Sequence, residues 1–478
     1  MQRNNPGKAK TNLRWTTGRE AHMGGGIDRR VFMKRAALSA AGAGLAASAM
    51  GARRAVGASG KIQVAVFGTG LEGSSVMAEF LKQPDVDLVA VCDVYRPHLE
   101  RALKTTEGKA KGYADFREVL DRKDIDAVLI ATPDHWHALQ AVLACQSGKD
   151  VYTEKPVATT IEAGKRMVEA ARKYNRVVQV GTQWHSSAHF QKGVQVVQDG
   201  LIGKVDWVRT WNYLNLYAQG FGIFEDSEPP AGLDWDLWLG PAPKVPFNWN
   251  RFGGEKYLWS TFRYFWDYAG GWMTDWGVHL INVIQWAMKV DGPKAVTAVG
   301  GKLSTHDNCQ TPDTLQVTFE YPEFLATYEL RMGNQHSRYG EHEYTGRDWD
   351  VLREWAIEFY GSDGTLTFDE MGLQVHPEKS RSGANLVDRT PAMELKDADE
   401  GLFEHVRNFL DCVKSRQRPV CDIEIGLRAT NTCHLGNIAY RTQSRVTWDA
   451  ADQRLVQGSP EARKLLDVEY RAPWKLVV

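Results

Sequence analysis

Gly68-Thr69-Gly70-Leu71-Glu72-Gly73, Lys155 and the pair Asp275 and His279 are the residues of this 478-residue chain whose types and spacing suit chemistry. The glycines follow the apolar run Ile62 to Phe67 and open a stretch with helical spacing. In that setting Gly68 permits a tight turn, Gly70 lets backbone approach a pyrophosphate, and Gly73 allows a helix to pack closely on a strand. GxGxxG alone is common by chance. An acid is expected about 20 residues on, at the end of a second strand, and Asp93 supplies it. Its carboxylate accepts both ribose hydroxyls of NAD and repels the 2′-phosphate of NADP. Arg96, three residues further, keeps NADP open.

Lys155 stands in Thr153-Glu154-Lys155-Pro156, at the end of a later strand. A residue before proline is held extended, so the ammonium projects from the strand end toward the rim where ligands bind in such sheets. Ala131-Thr132-Pro133-Asp134-His135-Trp136-His137 forms a loop on the same rim, its two histidines read as packing or helix-starting residues. In Gly270-Gly271-Trp272-Met273-Thr274-Asp275-Trp276-Gly277-Val278-His279, Thr274 can cap a helix. Asp275 and His279 then lie four apart on one face, a spacing that lets a carboxylate orient an imidazole whose pKa is naturally near neutrality.

The elements that must position these groups alternate from Lys61 onward. Strands at 62–67, 87–93, 127–131, 150–153 and 177–180 alternate with helices at 75–83, 97–106, 137–147 and 161–174, the pattern of a doubly wound parallel sheet. Residues 61–182 form this domain. Runs at 205–212, 295–303, 314–321, 325–332 and 355–368 read as longer strands of an open antiparallel or mixed sheet in an α+β domain, 183–400, covered by helices on one face. The segment 214–268 reads as an irregular excursion; ten of the seventeen tryptophans lie between Trp207 and Trp286, as filling for a sheet-covering loop or as rings that stack on a sugar. Helices at 402–417 and 426–442, in the segment 401–478, are expected to return and brace the first domain.

The order GTGLEG, CD, ATPDHWH, TEKP and DWGVH resembles the Gfo/Idh/MocA oxidoreductases over about residues 61 to 445. The resemblance implies catalytic roles for Lys155, Asp275 and His279, which in such enzymes hold a sugar or polyol hydroxyl beside the nicotinamide. It also implies NAD contacts from Gly68, Thr69, Gly70, Leu71, Gly73, Asp93, Thr132, Pro133, His137, Glu154, Lys155 and Gln183. The excursion is longer than in simpler members, so substrate preference does not carry over. A branch of the family that cleaves glycosides by transient oxidation usually differs at Glu154-Lys155-Pro156. The motif's retention argues for a dehydrogenase, with redox-neutral glycoside cleavage as the alternative and a sugar-binding module as a third reading.

A formal net charge of −1 offers no basic footprint for nucleic acid. Arg29-Arg30-Val31-Phe32-Met33-Lys34 before the Ala/Gly/Ser-rich run 36–52 is the pattern read by the twin-arginine translocation machinery, which carries folded proteins. Residues 1–58 are thus an expected signal region and tail, and the destination is periplasmic or otherwise exported. The six cysteines lack metal spacing and are expected to be buried thiols. The open sheet is expected to bury its free face in a homodimer or homotetramer.

Overall fold

The computed structural model describes residues 60–253, 260–335, 354–369, 372–382, 385–396 and 399–478. The paired arginines and the apolar run after them lie outside the described residues. No described helix is long and apolar enough to cross a membrane, and all six cysteines are buried and free.

The first half is built as β1 (Ile62–Phe67), α1 (Leu71–Leu81), β2 (Val86–Cys92), α2 (Arg96–Thr105), β3 (Lys111–Tyr113), α3 (Phe116–Leu120), β4 (Ala127–Ile130), α4 (Asp134–Gln146), β5 (Asp150–Thr153), α5 (Ile161–Lys173) and β6 (Val178–Val180). All six strands are parallel, in the order β3-β2-β1-β4-β5-β6. β4 and β5 are buried along their whole length, as strands covered on both faces must be. The strand order reverses between β1 and β4, so their carboxyl ends open the crevice in which such sheets bind ligands. One expectation shifts here. α4 begins at Asp134, directly after Pro133, so His135, Trp136 and His137 belong to its first turn rather than to a loop.

The second half opens with α6 (Ala188–Gln198) and β7 (Val205–Tyr213); the excursion carries α7 (Trp235–Leu239) and α8 (Trp249–Phe252). Then come α9 (Trp272–Asp275), α10 (Gly277–Met288), β8 (Ala295–Gly301), β9 (Thr314–Glu320), β10 (Leu325–Arg331), β11 (Trp355–Gly361), β12 (Gly364–Asp369) and β13 (Gly372–Pro377). After a small hairpin, β14 (Lys379–Ser382) and β15 (Asn385–Asp388), the chain adds β16 (Met393–Leu395), α11 (Leu402–Ser415), α12 (Ile423–Thr442), β17 (Val446–Asp449), β18 (Arg454–Gln457) and α13 (Pro460–Lys464). Ten of these strands form a mixed sheet, β16-β13-β12-β11-β7-β10-β9-β8-β17-β18, whose β7 and β10 run parallel while its other pairs are antiparallel. The run 355–368, expected as one strand, is two: Gly361-Ser362-Asp363-Gly364 turns the chain, and β12 pairs back on β11.

α12 joins the halves. A side chain at Gly426 would meet Val180 of β6 at 2.5 Å, and Leu427 fills the space above Gly164 of α5 at 2.3 Å from where a Cβ would stand. Glycine at both positions is what lets this helix lie against the first sheet while its other side covers the second.

Candidate active site

The glycine loop closes because side chains are absent from it. Gly68 has φ +80°, and a Cβ there would lie 2.6 Å from the carbonyl oxygen of Ala131; one at Gly73 would lie 2.0 Å from the oxygen of Gly68. Gly70 is different: a Cβ there would approach only the edge of His98, at 3.9 Å. Among the described residues nothing crowds a side chain at 70, and the open space over it suits a group that lies on the backbone, as a pyrophosphate does.

A cavity of about 430 Å³ extends from this loop. Gly68, Gly70, Leu71, Asp93, Thr132, Pro133, His137, Glu154 and Lys155 line it. Thr69 and Gly73 do not; Thr69 is buried beneath, and its amide and hydroxyl donate to Asp93 Oδ2 at 2.7 and 3.0 Å. Asp93 Oδ1 accepts from the Tyr95 amide. His137 bridges the carbonyl oxygens of Thr132 and Pro156, 2.8 Å from each, and so ties the rims of β4 and β5 together. Arg96 points away and pairs with Glu100 at 3.6 Å. The arginine at this end is Arg101, whose Nη2 donates to the oxygen of Thr69 at 2.7 Å and which lines the cavity.

The excursion roofs this cavity. Leu237, Trp238, Phe252 and Phe262 line its far side. The segment is held to the first half by Arg96 N donating to Gly232 O and Asp234 N to Val94 O. The carbonyl of Trp238 faces His135 Nε2 at 3.0 Å and accepts from Trp136 Nε1 at 2.9 Å. Arg471 straps it from outside: Nε donates to Gly240 O, Nη2 to Asp236 O and Nη1 to the Asp236 carboxylate, at 2.8 to 2.9 Å. Beside the strap, Trp474 packs edge-on against Trp136.

A second cavity of about 390 Å³ adjoins the first and shares Leu71, Glu72, Lys155, Ser260 and Arg263 with it. Asp275, His279 and Gln183 lie here, so Gln183 stands in this cavity rather than along the nucleotide groove. Lys155 Nζ donates to Asp275 Oδ1 at 2.7 Å and to its main-chain oxygen at 3.0 Å. Arg263, from the excursion, places Nε 3.0 Å from the same Oδ1.

The expected continuous helix through Asp275 and His279 is broken at Trp276. α9 ends at Asp275, and the His279 amide bonds back to Trp276 O, three residues away. That break frees the Asp275 carbonyl for Lys155. Thr274 is no cap either; its hydroxyl accepts from the Gly270 amide and donates to Gly271 O inside the short turn. The carboxylate of Asp275 therefore serves two cations, and His279 Nδ1 has no hydrogen-bond partner among the described residues.

Charge follows from this geometry. Burial alone would raise the Asp275 pKa, but Arg263 and Lys155 outweigh it and hold it at about 2. His279 is buried, and that burial, with Lys155 nearby, holds its pKa well below the usual imidazole value, so the ring is neutral. Burial raises Asp134 to about 7 against the pull of Arg263. It raises Glu154 to about 8, with Glu72 adding to the effect. Arg263 carried no sequence signal of its own, and Glu72 and Asp134 only their places inside the glycine motif and the ATPDHWH motif.

A parallel sheet with a dinucleotide cradle at its switch point, joined to an α/β domain that completes a cationic and imidazole-lined cavity on the same rim, defines a nucleotide-dependent oxidoreductase architecture. The chain belongs to the Gfo/Idh/MocA oxidoreductase family: residues 62–182 match its NAD-binding Rossmann fold and residues 186–323 its C-terminal alpha/beta domain. NAD is accordingly its cofactor. Among curated relatives, the chain is 30% identical over 202 residues to a glycosyl hydrolase family 109 protein of Saccharopolyspora erythraea, covering 37% of this chain and 44% of that one. It is 29% identical over 152 residues to an alpha-N-acetylgalactosaminidase of Shewanella oneidensis, covering 30% and 33%. The chain thus spans less than half the length of these relatives. In fold it is similar to the WlbA dehydrogenase of Bordetella pertussis, solved with NADH and UDP-GlcNAcA (TM-score 0.57, 20% identity, 81% of this chain and 99% of that one). Levoglucosan dehydrogenase, solved with NADH and L-sorbose, is similar too (TM-score 0.59, 18% identity, 81% and 98%).

Proposed function

We propose that this protein oxidises a hydroxyl-bearing carbon of a sugar, polyol or glycoside, with Lys155, Asp275 and His279 as its catalytic residues. The observation that carries the reading is the position of Lys155, which lines both cavities while its ammonium is anchored on Asp275. NAD, when bound, accepts the hydride from the carbinol carbon. Lys155 holds and polarises the hydroxyl oxygen, and its anchorage on Asp275 fixes where that oxygen sits. The neutral imidazole of His279, which lines the second cavity, takes the hydroxyl proton as the carbonyl forms. Asp275, held ionised by two cations, does not act as the base.

The test is direct. Purified protein with a panel of sugars and polyols is followed at the nicotinamide absorbance band, and Lys155→Ala and His279→Ala should abolish the change. No reduction of bound or added NAD by any panel member overturns the reading.

A second reading is redox-neutral glycoside cleavage: oxidation at C3 acidifies the C2 hydrogen, elimination expels the aglycone, water adds across the C1–C2 double bond (hydroxyl to C1, proton to C2), and the hydride returns to C3. The likeness to a glycosyl hydrolase family 109 protein and to an alpha-N-acetylgalactosaminidase favours it. It predicts cleavage of an aryl glycoside without added NAD and solvent deuterium at C2 of the product.

The paired Arg29 and Arg30 support export of the folded protein through the twin-arginine machinery, with NAD loaded beforehand and regenerated in place. Mass spectrometry of exported protein should find one dinucleotide per chain. The ten-stranded sheet supports association into a homodimer or homotetramer, read by light scattering.

A further inference from the structure

The second cavity has a wall that the proposed chemistry does not use. Trp184, Trp276 and Trp355 line it. Trp184 and Trp355 are stacked, with centroids 4.8 Å apart and planes 26° apart. Phe190 stacks on Trp184 at 4.4 Å and 12°, and Phe368 on Phe190 at 5.0 Å and 14°. Trp276 leans on Trp355 at 6.0 Å, and His279 lies 5.0 Å from Trp184. Trp184 is buried by these neighbours, whereas Trp276 and Trp355 keep part of their surface at the cavity. Packing of this kind fixes the indoles before any ligand arrives, so a ring that settles on them meets a rigid apolar surface.

The charges of the cavity narrow what that ring can be. Its two described cations, Lys155 and Arg263, are both committed to Asp275 Oδ1. Its other charged lining residues are acids: Glu72, Glu354 and Glu400. A carboxylate or phosphate on the substrate would meet no unshared cation among the described lining residues and three carboxylates.

We infer that this cavity seats a neutral, ring-closed sugar, with an apolar ring face on Trp355 and Trp276 and a hydroxyl turned to Lys155 and His279, in preference to an acyclic polyol or an anionic sugar. The inference rests on the proposed function only for turnover, since binding to the indoles is measurable without it.

The experiment uses the NAD-loaded full chain and three probes: methyl pyranosides, the matching alditols, and the matching uronates. Binding is read by calorimetry and tryptophan fluorescence, turnover by nicotinamide absorbance. Pyranosides are expected to bind at least about tenfold more tightly than alditols or uronates, and Trp355→Ala to raise the pyranoside KM about tenfold with kcat little changed. Trp355→Phe should restore most of the affinity, and NAD content should match the parent in both variants. Equal or tighter binding of alditols or uronates, or a Trp355→Ala variant that binds pyranosides as the parent does, overturns the inference. Pyranoside binding lost in Trp355→Ala without turnover of any probe supports the ring site and counts against the oxidoreductase reading alone.

Discussion

Lys155 Nζ and Arg263 Nε meet on a single oxygen, Oδ1 of Asp275, at 2.7 and 3.0 Å. One buried anion thus fixes two cations from distant parts of the chain, and removing either cation leaves the other with a different geometry.

Arg263→Gln should lower kcat/KM for the sugar about a hundredfold, because Asp275 then swings toward Lys155 and displaces the hydroxyl it positions. Loss of one member of a buried ion cluster should also destabilise the protein by about 3–5 kcal/mol. Arg263→Lys, which keeps the charge, should recover much of the stability and less of the rate. Steady-state kinetics and thermal unfolding measure both; an unchanged kcat/KM in Arg263→Gln refutes the positioning role.

The glycine loop separates packing from binding. Gly73→Ala drives a methyl into Gly68 O and should cost about 1–3 kcal/mol of stability. Gly70→Ala has φ −64° and room for its methyl, so stability should change by less than about 0.5 kcal/mol. Its NAD affinity should nonetheless fall about a hundredfold, because the methyl enters the space of the pyrophosphate. Calorimetric titration of both variants with NAD is the check.

Acid should weaken the fold well before ordinary carboxylates titrate. Burial holds His135 and His185 near 3 and His137, His405 and His434 near 4, lowers His189, and holds His279 well below its usual value. A group whose folded pKa is depressed gives full stability above the unfolded value of about 6.5 and loses it as pH falls below that. Asp134 and Glu154, raised to about 7 and 8 by burial, act in the opposite sense and gain as pH falls. Seven histidines outweigh two carboxyls, so between about pH 6 and 4.5 stability should drop by roughly 1.4 kcal/mol per pH unit for each excess proton taken up on unfolding. A melting temperature that is flat or rises over this interval contradicts the argument.

Arg471→Ala should release the roof of the nucleotide cavity. Its contact with the exposed Asp236 carboxylate is worth little, but its bonds to two backbone carbonyls should together contribute about 1.5–3 kcal/mol. Bound NAD should then leave about tenfold faster, as read by dilution and fluorescence.

The parallel sheet, the cradle and the rim lysine were legible because each rests on local rules: β-strand runs with glycine turns, and one acid at a fixed interval. The helix through Asp275 and His279 was half legible. Spacing placed them together, but the break at Trp276, just before Gly277, turned the carboxylate to Lys155 and Arg263 instead of His279. Arg263 itself was invisible, since it lies in the tryptophan-rich excursion and acquires meaning only through its contact with Asp275, twelve residues ahead, and its charge interaction with Asp134. The hairpin at Ser362-Asp363 was hidden by apolar residues on both sides of a short polar turn.

Arg471 follows Gly240 by 231 residues and Asp236 by 235. On a ribosome adding about 5–20 residues each second, the roof emerges roughly ten to fifty seconds before its strap. The fastening of the roof is therefore the last part of the nucleotide chamber to be synthesised, long after the cradle, the rim and the roof itself.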